Sequence, residues 1–448
     1  MIDVNDPTGR QRLPLRGALA GAALLLAVLA YLLEPLIGSR GQAAIGAVVF
    51  VSIVAACSRD IEAVNWRTVG WGIALQVLLA LAILKLNVGG VRPGYAFFSG
   101  VAAGVRRFLE FTDTGSRFVF GGLADPGAMS TVFPGGVVFA FTALPTIVFV
   151  SSFFSVLYHL GVLQLVVRLM AKGMMRLMKT SGAETLSAAA NVFMGQTEAP
   201  IIVKPFVPDM TNSELLAMMV GGTATISGGM MIVYIGLGAD PIAMLTTSVM
   251  AAPCGLYLSK ILYPETGRPL TSGYAEVAVG REHVNLIDAA AGGAADGTRL
   301  AVNVAAMLIA FLAFLAMFDH LLALAWPGLT LARVFAWVFA PVAMLIGVPR
   351  ADVFPVADLL GTKLVANEFV AFVKLSTQYK GVISERSHAL ATFALTGFAN
   401  FGSIGIQLGG IGAMAPTRRG DLARLGTRAL FVGFAATLVN ACIAAVLL

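Results

Sequence analysis

Two interrupted apolar stretches decide the fold: AETLSAAANVFMGQTEAPIIVKPFVP at residues 183–208 and PRADVFPVADLLGTKLVANEFVAFVKL at residues 349–375. Each carries polar residues near its middle, including Glu198 in the first and Glu368 in the second. Each stretch is too long for one turn and too broken for one membrane span. Non-helical backbone at membrane depth survives only where it is buried in protein or faces water. The pattern therefore predicts two re-entrant helical hairpins.

The composition of the whole chain is that of a polytopic membrane protein. Of 448 residues, 58% are apolar and 12% are charged, and the mean hydropathy is +0.85. Soluble domains are about 45–50% apolar and about 25% charged, so soluble classes are excluded. Three dispersed cysteines and four dispersed histidines match no zinc or disulfide pattern, and we expect no enzyme. The net charge of +6 forms no basic stripe interleaved with aromatics, so no nucleic-acid partner is expected.

About nine spans of some 20 apolar residues are predicted. They lie at 17–38, 42–57, 68–86, 136–158, 213–236, 241–262, 300–318, 388–411 and 428–447. Segment 17–38 lacks a clean cleavage site and is interpreted as an uncleaved span.

The basic residues predict the orientation, because cytoplasmic loops carry an excess of Lys and Arg. Clusters at 10–16, 59–67, 168–179, 260–281 and 418–428 are assigned to the cytoplasm, which puts the N-terminus inside and the C-terminus outside. Segment 94–122 is interpreted as interfacial. Segment 162–179 has a basic face and an apolar face, typical of an interfacial helix, although a solvated loop helix fits equally well.

The order of hairpin, glycine-interrupted span and second span occurs twice. The interrupted spans are 213–236, with GGTATISGG at 221–229, and 388–411, with GFANFGSIG at 397–405. Because of the number of membrane crossings predicted between them, the two hairpins are expected to enter the membrane from opposite sides. This inverted repeat is typical of secondary transporters, whose site lies near the midplane. The alternative is that the glycines only allow close helix packing.

The polar residues of the hairpins and breaks predict the class of substrate. Placing carboxylates inside the membrane costs free energy, so such groups normally face a cavity or a partner. They are accompanied by amides and hydroxyls and by no cluster of Arg or Lys, which disfavours phosphates and dicarboxylates. The set suits a neutral, hydroxyl-rich molecule with a planar heteroatom edge. Its members are Gln196, Thr197, Glu198, Asn367, Glu368, Asn400 and Ser403. Phe398 offers an apolar wall, or only packing.

A sodium site is also indicated, because Na⁺ prefers oxygen ligands and transporters supply them at broken helices. Asn191 and Thr225 carry side-chain oxygens beside the hairpin tip and the first break. A cap of the hairpin helix is the alternative role for Asn191.

Three motifs, GQTEAP (195–200), NEFVA (367–371) and GFANFGSIGI (397–406), resemble the concentrative nucleoside transporter family, and its bacterial sodium-coupled branch in particular. The resemblance extends from about residue 42 to the C-terminus and includes NWRTVG (65–70) and AAPCGLYLSK (251–260). It implies nucleoside as substrate, sodium as coupling ion, a homotrimer in the inner membrane, and an elevator in which a transport domain moves against a scaffold.

The resemblance also implies roles for individual residues. Gln196, Thr197 and Glu198 contact the nucleobase, Glu368, Asn400 and Ser403 hold the ribose hydroxyls, and Phe398 lines the site. Side chains of Asn191 and Thr225 and backbone carbonyls of Met194 and Ile226 hold sodium. Proton-coupled members lack the asparagine, so Asn191 favours sodium. The chain departs from relatives at Thr225, where Ser is frequent, at Met230, where some relatives have Val, and at Gly402, where Ser is common. Segment 17–38 is an extra span ahead of the shortest bacterial members.

The expected organisation follows. It comprises a cytoplasmic N-terminus (1–16), an extra transmembrane helix (17–38), scaffold spans with an interfacial helix at 94–122 (39–158), a first transport-domain repeat with hairpin 183–208 (159–262), a cytoplasmic loop and scaffold span (263–330), and a second transport-domain repeat with hairpin 349–375 (331–448). The expected function is sodium-coupled nucleoside symport. A proton-coupled symporter using Glu198 or Glu368 is the nearest alternative, and an intramembrane enzyme, a channel or a nutrient sensor are more distant ones.

Overall fold

The structure is a computed structural model that describes residues 13–125, 128–129, 138–272 and 283–448. Most of the predicted cytoplasmic N-terminus, including Arg10 and Arg12, lies outside the described residues. So do the start of the predicted span 136–158 and part of the basic loop ending at Arg281.

The described chain is helical. Its helices are α1 Leu13–Leu32, α2 Glu34–Ala56, α3 Trp66–Leu84, α4 Pro93–Phe120, α5 Phe139–His159, α6 Val162–Met178, α7 Gly182–Ala190, α8 Asn212–Ala224, α9 Gly228–Gly236, α10 Pro241–Leu262, α11 Leu286–Ala325, α12 Leu331–Leu345, α13 Val353–Val365, α14 Glu368–Thr377, α15 Glu385–Leu395, α16 Phe401–Met414 and α17 Arg419–Leu447. Short 3₁₀ segments include Ala199–Asp209 and Arg350–Asp352.

Within the described ranges, eight helical segments are long and apolar enough to cross a membrane, and α8 with α9 counts as one of them. The ninth predicted span, 388–411, is divided into α15 and α16, each shorter than a bilayer crossing. This division is the discontinuity that the glycines predicted. The fold is therefore an all-helical polytopic membrane protein with an inverted repeat, two re-entrant hairpins and two discontinuous helices, as expected.

The first two predicted spans, 17–38 and 42–57, are separated at Gly38. α1 and α2 are divided at Leu33, which still has helical backbone angles, whereas Gly38 inside α2 is non-helical, with φ of +67° and ψ of 177°. Pro35 stands in the first turn of α2, where its missing N–H costs no intrahelical bond. The sharp change of direction between the first two spans is therefore at Gly38, which is where the first predicted span ends.

The predicted span 300–318 is the central part of α11, which has 40 residues. Hydropathy marks only the part that suits lipid, whereas the backbone remains helical beyond it. α11 packs along α5 through two glycines. A Cβ on Gly293 would lie 2.6 Å from Cβ of Ser155, and one on Gly297 would lie 2.8 Å from Cα of Val148. The two helices therefore approach each other at backbone distance.

Hairpin 1 consists of α7, a tip at 191–198 and the 3₁₀ arm Ala199–Asp209. Ser181 and Glu184 form a capping box that starts α7. The returning arm contains Pro205 and Pro208, which remove backbone donors and prevent a regular α-helix. The predicted hairpin at 183–208 is thus confirmed within one residue at each end.

Hairpin 2 consists of α13 and α14, which are separated only by Ala366 and Asn367. Asn367 caps α14, since its Oδ1 accepts from the backbone N–H of Val370 at 2.8 Å. Glu368 is consequently the first residue of α14, at the positive end of the helix dipole.

The two discontinuous helices are interrupted in a similar way. The first break lies at 225–227, between α8 and α9, and the second break lies at 396–400, between α15 and α16. α8 ends before extended Thr225, and Ser227 caps α9. α15 ends before Thr396, and Asn400 caps α16. Gly397, with φ of +152°, lies against the first break, where an added Cβ would be 3.0 Å from the carbonyl oxygen of Thr223. Only glycine fits this crossing of the two breaks without strain.

α2 and α3 pack against α10, α12 and α17 through interlocked contacts. A Cβ on Gly46 would lie 1.9 Å from the carbonyl oxygen of Leu345, and one on Gly72 would lie 2.7 Å from Cβ of Tyr257. Buried Gln76 of α3 donates to Oδ1 of Asn440 on α17 at 2.6 Å.

Candidate functional site

A chain of hydrogen bonds joins the two hairpins through the second break. Nε2 of Gln196 in hairpin 1 donates to Oγ of Ser403 at 3.2 Å. The backbone N–H of Ser403 donates to Oδ1 of Asn400 at 2.9 Å. Nδ2 of Asn400 then donates to Oε2 of Glu368 in hairpin 2 at 2.8 Å. All four side chains are buried, so four of the predicted substrate residues form one polar cluster.

Tyr234 on α9 is a member of this cluster that the sequence analysis missed. Its hydroxyl donates to Oε1 of Glu368 at 3.1 Å, and its side chain is 0% exposed. Its ring stacks on Phe372 with centroids 4.5 Å apart. A tyrosine in the middle of an apolar half-helix was the available signal, because a buried phenol normally has a partner. Tyr234 and Asn400 together orient the carboxylate.

The cluster retains hydrogen-bonding capacity for a ligand. Oε1 of Gln196 is buried and has no hydrogen-bond partner among the described residues. A carboxylate has about four acceptor positions, and Glu368 uses two of them for Tyr234 and Asn400. The cluster can therefore receive donors such as hydroxyl or amide groups.

The other predicted substrate residues lie outside this chain of bonds, and one of them, Asn367, caps α14. Glu198 has an exposed side chain that lies among many protein atoms, and its Oε2 accepts from the backbone N–H of Gly195 at 3.0 Å, within its own hairpin tip. Thr197 lies against α16, where an added Cβ on Gly410 would be 2.4 Å from its Cγ2. Phe398 is half-buried in the second break. The structure brings none of them into hydrogen-bond contact with Glu368 within the described part of the chain.

Gln407 is a second residue that the sequence analysis missed. Its Nε2 donates to the carbonyl oxygen of Met219 on α8 at 2.9 Å, and the side chain is 1% exposed. An added Cβ on Gly222 would lie 2.7 Å from the same nitrogen. Gln407 thereby fixes α16 against α8. Its only signal in the sequence was an amide within a glycine-rich apolar helix.

The predicted cation residues lie where hairpin 1 meets the first break. Asn191 follows α7, its side chain is 0% exposed, and its Oδ1 has no hydrogen-bond partner among the described residues. Nδ2 of the same side chain donates to the carbonyl oxygen of Ser187 at 2.9 Å, which fixes the amide. A Cβ on Gly221 would lie 2.8 Å from this Nδ2, so glycine allows α8 to approach.

Met194, Thr225 and Ile226 are buried as well. The hydroxyl of Thr225 donates to the carbonyl oxygen of Gly221 at 2.8 Å, which leaves its lone pairs available as acceptors. The described residues contain no group of three or more His, Cys, Asp or Glu side chains that would hold a transition metal. Neutral amide, hydroxyl and carbonyl oxygens suit a hard monovalent cation.

Helix dipoles give the two parts of the site opposite polarity. Asn191 and Thr225 stand at the C-terminal ends of α7 and α8, where partial negative charge favours a cation. Glu368 and Asn400 stand at the N-terminal ends of α14 and α16, where partial positive charge stabilises the carboxylate. The backbone N–H of Phe398 donates to the carbonyl oxygen of Thr225 at 3.0 Å and joins the two parts.

Comparisons with known proteins agree over nearly the whole chain. Family models described as the N-terminus of Na⁺ dependent nucleoside transporters, nucleoside recognition (gate), and the C-terminus of the same transporters match residues 45–123, 140–241 and 243–445.

Curated relatives include an uncharacterized transporter of Haemophilus influenzae, 41% identical over 410 residues, covering 89% of this chain and 96% of the relative. Sodium/nucleoside cotransporter 1 of Homo sapiens is 42% identical over 432 residues, covering 90% of this chain. The chain spans 63% of the length of that human protein.

Solved structures of CNTnw have the same fold. The inward-facing, substrate-bound structure is 37% identical, with a TM-score of 0.85, covering 91% of this chain and 97% of CNTnw. A double variant of CNTnw in an outward-facing state is 36% identical, with a TM-score of 0.86, covering 91% and 98%. The chain therefore belongs to the family of Na⁺-dependent, concentrative nucleoside transporters, which are membrane transporters and not enzymes.

Proposed function

We propose that the protein carries nucleosides across a membrane together with sodium. The observation that carries the proposal is the buried chain Gln196–Ser403–Asn400–Glu368, which links both hairpins through the second break. A ribose diol donating to Glu368 and a base edge facing the amide of Gln196 would use the acceptors that the cluster leaves open. Thr197, Glu198 and Phe398 complete the proposed nucleoside site.

Sodium binds, in this proposal, to the side chains of Asn191 and Thr225 and to the backbone carbonyls of Met194 and Ile226. The unpartnered Oδ1 of Asn191 supports this assignment. The ion would hold the tip of hairpin 1 against the first break. Because the N–H of Phe398 is bonded to the carbonyl of Thr225, an ordered first break also orders the wall of the nucleoside site. Sodium binding would thus precede and strengthen nucleoside binding.

One coupling ion supplies useful energy. Moving one charge across 100 mV is worth about 2.3 kcal/mol. A tenfold sodium gradient adds about 1.4 kcal/mol. Together these terms support accumulation of nucleoside by a few hundredfold.

We propose an elevator mechanism in which the two repeats move together, with the nucleoside between the hairpins. In the predicted division, residues 39–158 belong to the scaffold. The interlocked packing of α2 and α3 on α10, α12 and α17 favours a different boundary, in which these two helices travel with the repeats. The long helix α11 and its partner α5 would then form the centre of the scaffold.

The proposed setting is the inner (cytoplasmic) membrane, with the N-terminus in the cytoplasm and the C-terminus outside, in a homotrimer surrounded by lipid. The orientation follows from the basic clusters, because positive residues favour cytoplasmic loops. The trimer is supported only by membership of the family.

Uptake of radiolabelled uridine and adenosine into proteoliposomes tests the proposal. We expect accumulation with an inward sodium gradient and little when choline replaces sodium. Accumulation that persists in choline and disappears with a protonophore would show that protons are the coupling ion. Glu198 or Glu368 would then be the proton acceptor. No uptake of either nucleoside under any gradient would overturn the proposed substrate.

A further inference from the structure

Lys363 is a fully buried lysine that the site described above does not use. It lies in the last turn of α13, in hairpin 2, and its side chain is 0% exposed. Its Nζ donates to the carbonyl oxygen of Ala394 at 2.8 Å and to Oγ1 of Thr437 at 3.0 Å. It also lies 5.3 Å from the ring centroid of Phe434. Two hydrogen bonds and one aromatic face thus surround the three N–H donors of an ammonium group.

No carboxylate within the described residues forms a contact ion pair with this amine. The nearby Asp358 is already paired with Lys374 and accepts from the hydroxyl of Tyr379 at 2.7 Å. Glu368 interacts with Lys363 electrostatically and takes its hydrogen bonds from Tyr234 and Asn400. Burial without a direct counter-charge is costly, so the lysine needs another source of stabilisation.

Helix ends supply that stabilisation. Ala394 is the penultimate residue of α15, and its carbonyl points to the amine at the point where the helix breaks. Lys363 itself stands at the C-terminal end of α13. The partial negative charge at the C-terminal end of α15 therefore acts on an amine that is anchored in the last turn of α13.

In the first repeat a hairpin helix and a broken helix also end close together, without a lysine. There α7 ends at Asn191 and α8 ends before Thr225, and the buried Oδ1 of Asn191 has no hydrogen-bond partner among the described residues. Each repeat thus directs the end of a hairpin helix and the end of a broken helix towards one point. Repeat 2 places the amine of Lys363 at that point.

We propose that Lys363 is a built-in cation of repeat 2, which performs at the end of α15 the task that the coupling ion performs at the end of α8. Repeat 2 then holds its broken helix, and with it Asn400 and Glu368, without a dissolved ion. The inference rests on the proposed function, and it makes Lys363 a positioning residue. Coupling through one dissolved ion follows, because only repeat 1 lacks its own charge.

Binding of uridine to the purified full-length protein in sodium, measured by calorimetry, tests the charge. We expect Lys363→Met, which keeps the apolar stem, to weaken uridine binding by about tenfold or more, a change of about 1.4 kcal/mol. Lys204→Met is the matched control, because Lys204 lies in hairpin 1 and is exposed. Unchanged uridine affinity in Lys363→Met would overturn the proposal.

Chemical rescue separates charge from packing. Lys363→Ala is measured with propylammonium, which replaces the deleted atoms, and with 1-propanol, which has similar volume and no charge. We expect propylammonium alone to restore most of the lost uridine affinity. Equal effects of the two additives would overturn the proposal, since a packing role does not distinguish them.

Thr437→Val keeps the proposal testable if both lysine variants fail to fold. It removes one acceptor of the amine and is expected to weaken uridine binding several-fold, and wild-type affinity would count against the proposal. Absence of uridine binding by the wild-type protein in sodium is a different result. It would reject the proposed function rather than the role of Lys363.

Discussion

Nδ2 of Asn400 lies 2.8 Å from Oε2 of Glu368, and this hydrogen bond ties the break between α15 and α16 to the tip of hairpin 2. Both residues stand at helix N-termini, so the dipoles of α14 and α16 and the amide act on the same carboxylate. A buried carboxylate held in this way can accept ligand hydroxyls without first rearranging. The tip of hairpin 2 and the second break therefore behave as one binding surface.

Replacing Glu368 by Gln is predicted to reduce nucleoside uptake by about a hundredfold or more. Charge-assisted hydrogen bonds to the proposed ribose diol are lost, and each is worth about 1.5–3 kcal/mol. Uptake of labelled uridine into proteoliposomes measures the effect. Glu110→Gln is the control, because Glu110 is an exposed residue of α4. Near-normal uptake by Glu368→Gln would remove this residue from the proposed site.

Tyr234→Phe is predicted to raise the KM for uridine by about tenfold while the ring packing on Phe372 is preserved. The hydroxyl donates to Oε1 of Glu368 at 3.1 Å, and a hydrogen bond to a charged group contributes about 1.5–3 kcal/mol. The concentration dependence of uptake provides KM and the maximal rate separately. A lower maximal rate with an unchanged KM would show that the hydroxyl does not orient the carboxylate for binding.

Asn191→Ala is predicted to raise the sodium concentration for half-maximal uptake by about tenfold or more. The substitution removes the buried Oδ1 that has no hydrogen-bond partner in the described chain. Sodium activation curves at saturating uridine measure the change. Asn303, an exposed asparagine of α11, provides the control substitution to Ala. An unaltered activation curve for Asn191→Ala would exclude this side chain as a sodium ligand.

Cross-linking is predicted to distinguish the moving helices from the fixed ones. In a background without the native Cys57, Cys254 and Cys442, cysteines at positions 76 and 440 bridged by Hg²⁺ should leave uptake largely intact. The reason is that the buried bond between Gln76 and Asn440 belongs to an interlocked contact that would not slide.

The comparison pair for this experiment joins α5 to α9. An added Cβ on Gly229 would lie 3.3 Å from Cγ1 of Val150, so a bridge between these positions is short enough to form. It should block uptake, and a thiol reagent should restore it. If instead the bridge between positions 76 and 440 blocks uptake, α3 belongs to the scaffold, as the division at residues 39–158 assumed.

Much of the fold could be predicted because its signals are local. Two polar interruptions in apolar runs indicated hairpins, and glycine clusters indicated the breaks at 225–227 and 396–400, where the helices do end. The full length of α11 was not predicted, because hydropathy follows lipid exposure and not helical backbone.

The sequence by itself determined that the chain is a membrane protein with two hairpins, two broken helices and polar residues at their tips, since hydropathy and glycine content act over neighbouring residues. Only the tertiary structure decided how these parts meet. The bond from Gln196 to Ser403 spans 207 positions, and the contacts of Tyr234 with Glu368 and of Lys363 with Ala394 also cross between helices. Such partners are chosen by helix packing, in which glycines set the approach of the backbones and helix ends set the sign of the local charge. No local pattern contains that information.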